Sequence, residues 1–450
     1  MWNHSRRRSR LRGTTRFTAG LAVTALAATA ACTGNSSDGS GDKTGEDIKV
    51  GVSLPLTGAL SVPGANFEQG YKLCAELIND AGGIDGRKLK LEISDNRSDP
   101  QTAVNQTQRF ISSDRVDMLF GTFSTLLSFP VEAITEQQKY VYLEPADSAV
   151  ASHSRGFTYN FGFTPKPIDY IGQTPVDAIF DLQKAGDLDE ADLPKTAAVV
   201  YQDDFFPNSI SRGLLGGKVK NPGSDDVVDF GEGYLAEKGI KVVFKKQYPA
   251  DFKDWTSLAN SIKKSGADYL FALTQTPTEV NIARALATVK YKPKGVFFSQ
   301  GTYDQFQKSL GDNADGIIVW SSWSPKVEWQ GLLNDKPFSN QDFVKAFTDK
   351  YGSAPDEDHA QAFTVCQAAE QAIRATGGTD QTKIRDWLAD RTADDPIKTT
   401  QGDYHFDDQG LTADRDVLLL QWQDGELKPI YPTGDEYPGT SKIVWPDTNW

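Results

Sequence analysis

Hydroxyl side chains are concentrated at one predicted strand end, in the segment 121–128. The preceding run 116–120 is apolar except for Asp117 and predicts a buried strand, and Pro130 is typical of the first turn of a helix. Free N–H groups at a helix start carry the positive end of its dipole. Together with the hydroxyls of Ser124 and Thr125 they would suit a carboxylate ligand. The alternative is that these hydroxyls only cap the helix.

Groups that catalyse reactions are scarce by comparison. The chain has four histidines, and we find no HExxH, GxSxG, Walker, CxxC or GxGxxG pattern in a suitable setting. Asp203-Asp204 and Asp225-Asp226 are adjacent acids, whose side chains diverge, so solvated loops explain them. We therefore expect a protein that binds a molecule without transforming it, and that uses neither a metal nor a cofactor.

The first 31 residues carry six arginines and no acid, and they end in the apolar run 17–31. This run is too short for a transmembrane helix, which needs ~20 residues, and it predicts a signal peptide over 1–31. Small residues before Cys32 resemble the lipobox of bacterial lipoproteins, in which the cysteine is lipidated. The alternative is ordinary secretory cleavage at the same place. The Ser-, Gly- and Asp-rich residues 32–47 predict a flexible tether.

The chain is strongly acidic, with a formal charge of −14 from 47 Lys and Arg against 61 Asp and Glu. Six of the basic residues lie in the predicted signal peptide, so the rest of the chain is more acidic still. Proteins that bind nucleic acid or anionic lipid need a basic surface, so both partners are disfavoured. A lipid on Cys32 would then be the link to the outer face of the bacterial cell membrane.

Two further cysteines, Cys74 and Cys366, lie on apolar stripes with helical spacing. An oxidising compartment would allow them to pair. Two buried free thiols fit the same spacing, so the sequence leaves both arrangements open.

From residue 48 onward, short apolar runs alternate with amphipathic segments. Strands are predicted at 48–54, 88–93, 116–120, 140–143, 196–201, 242–247, 269–273, 316–320 and 417–422. Helices are predicted between most of them, and the turn-rich segment 215–231 predicts a surface insertion. Such alternation predicts parallel sheets with helices on both faces, in an α/β protein.

Four segments carry a resemblance to a known family. In order they are GVSLPLTG at 51–58, INDAGGIDG at 78–86, DNRSDP at 95–100 and GTFST at 121–125. In this order and at these separations they resemble the branched-chain amino-acid-binding proteins of ABC importers, which have the type I periplasmic-binding-protein fold. Weaker similarity extends over nearly all of 48–450.

The resemblance implies two Rossmann-like lobes that are joined by three chain crossings and close on a ligand. We expect the crossings near 161–165, 299–303 and 401–407. The first lobe would then comprise 48–162 and 302–402, and the second 163–301 and 403–450.

The ligand contacts of the family map onto this chain by spacing. Thr125 takes the position of the carboxylate-binding hydroxyl, with Ser124 beside it. Ala146 and Ser148 match the pair that contacts the α-ammonium. Where the family usually has a tyrosine, this chain has Phe206, which offers only an apolar wall.

The acid that pairs with the ammonium in the family maps to Thr278, with Glu279 one residue later. If Glu279 does not reach the cleft, a buried ammonium loses its partner at a cost of several kcal/mol. The ligand would then be an acid or amide without that amine. Trp320 and Trp323 lie near a side-chain pocket position. Core packing explains Trp320 equally well, so we expect Trp323 in the pocket.

These features together predict an extracytoplasmic binding lipoprotein, monomeric, that captures an amino acid or a related small carboxylate or amide. It would deliver this ligand to permease and ATPase subunits of an ABC importer. The alternative is a receptor that reports the ligand to a signalling partner.

Overall fold

The computed structural model describes residues 45–220, 227–412, 415–434, 437, 439–445 and 450, with the side chains of 220, 276 and 277 left aside. Cys32, the predicted signal peptide and most of the predicted tether lie outside these residues. Glu46 and Asp47, at the end of the predicted tether, already contact the folded body. The carbonyl of Glu46 accepts a hydrogen bond from Arg87, and Asp47 pairs with Lys90.

The first sheet is built from the start of the chain. Its strands are β1 (Ile48–Leu54), β2 (Leu89–Asp95), β3 (Met118–Phe120), β4 (Tyr142–Glu144) and β5 (Asn160–Gly162). The helices between them are α1 (Ser61–Asp80), α2 (Pro100–Arg109), α3 (Thr125–Gln138) and α4 (Val150–His153). The strands are parallel in the order β2-β1-β3-β4-β5, so the chain reverses its direction of winding between β1 and β3.

The second sheet follows in the chain. Its parallel strands are β6 (Thr196–Gln202), β9 (Lys241–Tyr248), β10 (Tyr269–Leu273), β11 (Gly295–Phe298) and β12 (Ile317–Ser321), and a hairpin of β7 (Lys218–Lys220) and β8 (Val227–Asp229) lies within the predicted insertion. The helices are α5 (Thr174–Ala185), α6 (Phe205–Leu215), α7 (Tyr234–Glu237), α8 (Trp255–Ser265), α9 (Thr276–Thr288) and α10 (Asp304–Leu310).

The remaining elements return to the first sheet and then close the second. Against the first sheet lie β13 (Gln330–Leu333), β14 (Lys336–Ser339), α11 (Asn340–Tyr351), α12 (Glu357–Thr376), α13 (Gln381–Ala389), β15 (Ile397–Thr399) and β16 (Gly402–Tyr404). The last strands are β17 (Leu418–Gln423) and β18 (Glu426–Tyr431), which are antiparallel and complete the order β18-β17-β12-β11-β10-β6-β9.

Each sheet has its own apolar core, and we call the two bodies the first and the second lobe. The core of the first lobe joins β1, α1 and α12 and includes Phe363 and Phe406, although they are distant in sequence from β1. The core of the second lobe includes Val417 and Leu419 from the end of the chain. The predicted α/β class with two lobes and parallel sheets is confirmed.

The second crossing differs from the prediction. β12 pairs with β11 and β17 in the second sheet, so 302–321 belong to the second lobe and not to the predicted 302–402 of the first. Trp323 already packs in the first core, whereas Val327 still packs in a core of the second lobe, so this crossing begins at 322 and extends past 327. The cores also put Phe406 in the first lobe and Val417 in the second, so the third crossing follows 406.

The crossings are hydrogen-bonded to one another. The N–H of Gly162 donates to the carbonyl of Gly410 at 2.9 Å, and the hydroxyl of Thr412 donates to the carbonyl of Gly162 at 2.7 Å. At the second crossing, the side-chain amide of Gln401 donates to Ser322 Oγ at 2.5 Å. The lobes are therefore joined by a connected set of backbone and side-chain groups.

A disulfide joins α1 to α12 in the first lobe. Cys74 and Cys366 are bonded at 2.07 Å, so of the two arrangements left open by the sequence, the structure contains the disulfide. Gly70 lies one turn earlier on α1, where a Cβ atom would stand 2.3 Å from the carbonyl oxygen of His359. A glycine at this position lets the first turn of α12 approach α1 closely.

Helices long and apolar enough to cross a bilayer do not occur in the part of the chain that the structure describes.

Candidate functional site

A cavity lies where the carboxyl ends of the strands of both sheets meet. In open parallel sheets this is where ligands bind, beside the point at which the winding reverses. The first lobe contributes Phe123, Ser124, Ala146, Glu357, Asp358 and Gln361, and the second contributes Phe206, Gln275, Ser299, Gln300, Thr302, Tyr303 and Trp320. Thr164 and Ile168, from the first crossing and the segment after it, complete the lining.

Ser124 is the polar group of the cavity wall next to α3. It occupies the N-cap position of α3, but its side chain makes no capping hydrogen bond. Its Oγ has no hydrogen-bond partner, although the residue is only 4% exposed. The alternative that this hydroxyl only caps the helix is therefore wrong. The first turn of α3 keeps its positive dipole end beside an unpaired hydroxyl, and such a site suits an anionic group.

Thr125, the predicted carboxylate contact, does not line the cavity. The residue is fully buried, and its hydroxyl points to the carbonyl of Ala146 at 3.5 Å. As the first residue of α3, it turns its side chain toward the β4 loop while Ser124, one residue earlier, faces the cavity. The spacing thus leads to a loop that does line the cavity, but of its two neighbouring hydroxyls it is that of Ser124, and not that of Thr125, which lies in the lining.

Of the two residues predicted to contact an α-ammonium after β4, again only one lies in the cavity lining. Ala146 lines the cavity, whereas Ser148 is fully buried outside it. Ser148 lies against Gly162, where an added Cβ would come within 2.3 Å of its Oγ. Between them, Asp147 accepts hydrogen bonds from the N–H of Ala149 and the hydroxyl of Ser152, both at 2.9 Å. Burial raises the pKa of Asp147 to about 6 in spite of these bonds.

Two aromatic residues form an apolar part of the lining. Phe206, at the start of α6, lies in the cavity as predicted, and its ring is 6.4 Å from that of Trp320. The indole N–H of Trp320 donates to the carbonyl of Ser299 at 2.9 Å, which fixes the ring. A flat apolar portion of a ligand would pack against these rings.

Trp323 is a core residue and not a pocket residue. Its indole N–H donates to Oδ1 of Asn340 at 2.6 Å, and its ring packs edge-on against Phe343. The expectation of Trp323 in the pocket is therefore not met, whereas Trp320, for which pocket and core were equally open, lines the cavity. The chain crosses between the lobes at Ser322, so Trp323 enters the first core whereas Trp320 stays at the strand end.

The predicted ammonium partners on α9 do not line the cavity either. The hydroxyl of Thr278 donates to the side-chain carbonyl of Gln202 at 2.8 Å. Glu279 is 2% exposed, and one of its oxygens, Oε2, has no hydrogen-bond partner. Burial raises the pKa of Glu279 well above its ordinary value.

Two acidic side chains from the start of α12, Glu357 and Asp358, do line the cavity. Glu357 accepts hydrogen bonds from the N–H and the hydroxyl of Ser322, both at 2.7 Å. Asp358 accepts one from the hydroxyl of Tyr303 at 2.8 Å. Loss of surrounding water raises the pKa of Glu357 to about 7, and burial, reinforced by the neighbouring Asp356, raises that of Asp358 well above its ordinary value.

These acids were missed because a structural explanation accounts for the same pattern. Residues 356–358 read Asp-Glu-Asp at a helix start, where acids are favoured by capping and by the helix dipole. Asp356 does cap α12, accepting from the N–H groups of Asp358 and His359 at 3.1 and 3.3 Å. One acid is enough to cap a helix, so the two further acids that follow Asp356 were the sign in the sequence that this helix start has another role.

The match to a family of known proteins decides the class of this chain. A family model described as "Periplasmic binding protein" matches residues 47–426, most of the chain. The chain belongs to the periplasmic binding protein family. The resemblance read from its four motifs is confirmed, as is the prediction that it is a binding protein and not an enzyme.

Curated relatives of this periplasmic binding protein match over most of their length. The chain is 25% identical over 395 residues to Leu/Ile/Val-binding protein homolog 7 of Brucella suis, covering 86% of this chain and 92% of the relative. It is likewise 25% identical over 392 residues to homolog 8 of Brucella abortus, covering 86% and 91%.

Solved structures share the fold of this periplasmic binding protein. The leucine-binding protein LivK of Thermotoga maritima superposes with a TM-score of 0.69 at 18% identity, over 85% of this chain and 97% of that one. LivJ of Streptococcus pneumoniae, solved with isoleucine, gives 0.68 at 18% identity, over 89% and 100%. As a family member this chain acts outside the cytoplasm.

Proposed function

We propose that this protein is the solute-binding component of an ABC importer and captures an amino acid, or a related small carboxylate or amide, between its lobes. The observation that supports this most directly is one cavity lined by strand ends of both sheets. It combines the uncapped start of α3 at Ser124 with the apolar rings of Phe206 and Trp320. The relatives named above are amino-acid-binding proteins by their names, which agrees with this ligand class.

The ligand would be captured because it contacts both lobes in the closed arrangement and only one of them in an open arrangement. A carboxylate bound at Ser124 and an apolar portion against Phe206 would connect the first lobe to the second. Such a ligand binds the closed arrangement better than an open one, and so it shifts the equilibrium toward closure. Phe129 of α3 and Phe205 of α6 pack with ring centroids 4.9 Å apart, so direct contacts between the lobes support the closed form.

The partners of the closed form would be permease and ATPase subunits, which receive the ligand from a monomeric binding protein. Cys32, lipidated at the end of the signal peptide, would hold the body at the outer face of the cell membrane. We expect metabolic labelling with a palmitate analogue to mark the wild-type chain and not Cys32→Ser. Labelling that survives this substitution would place the anchor elsewhere.

A thermal-shift panel of amino acids, aromatic acids, amides and ureas tests the ligand class. A ligand present at about 100 times its Kd adds roughly 2.7 kcal/mol to the free energy of unfolding, an easily measured shift in Tm. We expect at least one amino acid or small carboxylate to give such a shift. A panel in which no compound stabilises the protein would contradict the proposed function.

An uptake assay then tests the role in import. Cells that lack this protein should lose uptake of the labelled ligand, and the wild-type gene should restore it. Uptake that is unaffected, with a change in gene expression on ligand addition, would favour a signalling receptor.

A further inference from the structure

The acids at the start of α12 have hydrogen-bond partners but no cationic partner. The contacts of Glu357 come from Ser322 and, at 3.5 Å, from Gln361. Those of Asp358 come from Tyr303 and, at 3.4 Å, from Asn66. All of these groups are neutral. Among the described residues that line the cavity there is no Lys, Arg or His.

Buried carboxylates without a cation are unfavourable, and proteins normally pair them. The dipole of the 20-residue helix α12 stabilises negative charge at its start, but it cannot replace a counter-ion. The N–H groups of Asp358 and His359 in its first turn already donate to Asp356, so these two are not available to an anion. The site is built to receive positive charge.

A second and independent observation comes from the same cavity. Ser124 Oγ is buried and has no hydrogen-bond partner, which is a polar group left for a ligand to satisfy. The described residues contain no group of three or more His, Cys, Asp and Glu side chains that could hold a metal ion. The apolar rings of Phe206 and Trp320 in the lining favour an organic molecule as the partner of this hydroxyl.

We propose that Asp358, supported by Glu357, binds a cationic group of the ligand, so that the ligand carries an amine or a similar organic cation. This inference rests on the proposed function and specifies its ligand. It replaces Glu279, the predicted ammonium partner, which is buried outside the cavity. It also reverses the expectation that loss of Glu279 would leave a ligand without an amine.

The position of Glu357 connects the bound cation to the hinge. Its partner Ser322 is the residue at which the chain crosses between the lobes, and Ser322 Oγ also accepts from Gln361 at 3.0 Å and from Gln401 at 2.5 Å. Asp358 accepts a hydrogen bond from the hydroxyl of Tyr303, which belongs to the second lobe. A cation at this pair would therefore interact with groups on both lobes and at a crossing.

Three probes with the same apolar group separate the two charges of an amino acid. They are L-leucine, 4-methylpentanoic acid, which lacks the amine, and 3-methylbutylamine, which lacks the carboxylate. Nα-acetyl-L-lysine is a fourth, with its only cation on the side chain. We would measure the Kd of each by calorimetry on the purified protein, together with a thermal-shift panel of the standard amino acids.

We expect compounds with an amine to bind at least about 10-fold more tightly than 4-methylpentanoic acid, because a charge-assisted hydrogen bond is lost with the amine. Preference for leucine would place the α-amine at Asp358, and preference for acetyl-lysine would place a side-chain amine there. Equal binding of 4-methylpentanoic acid and leucine would overturn the inference and leave the proposed function intact. If no probe or amino acid binds, the inference fails, and the aromatic acids, amides and ureas of the wider panel then decide whether the proposed function fails with it.

Asp358→Asn keeps the size of the side chain and an acceptor for Tyr303 but removes the charge. We expect it to weaken the tightest amine-bearing probe at least about 10-fold. Glu279→Gln is the matched control and should change the Kd less than about 2-fold. If Asp358→Asn is not folded by circular dichroism, Glu357→Gln serves in its place. Unchanged binding in the folded variant, or a loss in Glu279→Gln instead, would overturn the inference.

Discussion

The hydroxyl of Ser124 and the carboxyl groups of α12 give the cavity two chemically different polar parts. One is a neutral donor beside a positive helix end, and the other is a pair of acids at the start of a second helix. Both belong to the first lobe, while most of the apolar lining belongs to the second. A zwitterion with an apolar side chain matches this distribution of groups.

Removal of the Ser124 hydroxyl tests whether the start of α3 binds the carboxylate of the ligand. We expect Ser124→Ala to weaken the carboxylate-bearing ligand about 10-fold or more, since a hydrogen bond to a charged group contributes about 1.5–3 kcal/mol. The Tm of the free protein should hardly change, because this hydroxyl has no partner to lose. Calorimetry and thermal denaturation measure the two effects.

Ser209→Ala is the control for this substitution. Ser209 is also fully buried with an unpaired hydroxyl, but it lies on α6 outside the cavity lining. Its ligand affinity should equal that of the wild type. If both variants bind alike, Ser124 is not a ligand contact.

At the scale of elements, much of the fold follows from the sequence. The strand predicted at 269–273 has the observed bounds of β10, and α8 is one of the helices predicted between successive strands. Each has a local cause, since Asp254 caps α8, Gly266 ends it, and β10 is a short run buried on every residue.

The site was harder to predict because it depends on which way single residues face. β12 is buried along its whole length, so no alternation tells Trp320 from core residues. Trp323 changes lobe because the chain crosses at Ser322, which no local pattern reports. Ser124 and Thr125 are adjacent hydroxyls at one helix start, and only the packed structure separates them.

The contact between α1 and α12 should control the position of the cavity acids. In Gly70→Ala the new methyl group would stand 2.3 Å from the carbonyl oxygen of His359 and 2.9 Å from Cβ of Ala362. Overpacking of this kind costs about 1–3 kcal/mol, and relief requires the first turn of α12 to move. We expect a lower Tm and weaker binding of the amine-bearing ligand.

Val62→Ala provides the comparison on the same helix. Val62 is 56% exposed, so its truncation should change the free energy of unfolding by less than about 0.5 kcal/mol and leave affinity unchanged. Normal binding by Gly70→Ala would show that α12 tolerates displacement, against the proposed role of this contact.

The disulfide between the same two helices should add stability. It connects residues 292 positions apart, and removal of such a crosslink typically costs about 2–5 kcal/mol. We expect the double variant Cys74→Ala/Cys366→Ala to unfold at lower urea concentration than the oxidised wild type. A reductant should lower the wild-type midpoint and leave that of the variant unchanged. Equal midpoints for oxidised wild type and variant would contradict this.

For the whole molecule, buried acids predict how stability depends on pH. Burial raises the pKa of Asp169 to about 7 and that of Asp147 to about 6, and desolvation raises that of Glu357 to about 7. The unfolded chain releases these protons near pH 4, so between about pH 4 and pH 7 the folded protein holds more protons. This contribution to stability is complete below about pH 4 and is lost as pH rises through about 6–7.

We therefore expect a higher Tm at about pH 5 than at about pH 8, with each group contributing up to about 1.4 kcal/mol per pH unit. Carboxylates with a lowered pKa, such as Asp99, oppose this only below about pH 4. Asp169→Asn removes one of the titrating groups and should flatten the dependence. A Tm that rises from pH 5 to pH 8 would contradict this, since it would mean that ionisation of these acids in the folded protein does not lower the free energy of unfolding.

The three crossings also determine how this protein can be divided. The stretch 48–163 holds all five strands of the first sheet, yet α12 and the residues around Phe406, which cover them, come more than 150 residues later. Expressed alone, it would expose an apolar sheet face and aggregate. A self-sufficient half would have to be spliced from 48–163 and 323–406, so any biosensor or fusion based on this chain must insert its cargo in a surface loop and leave both halves whole.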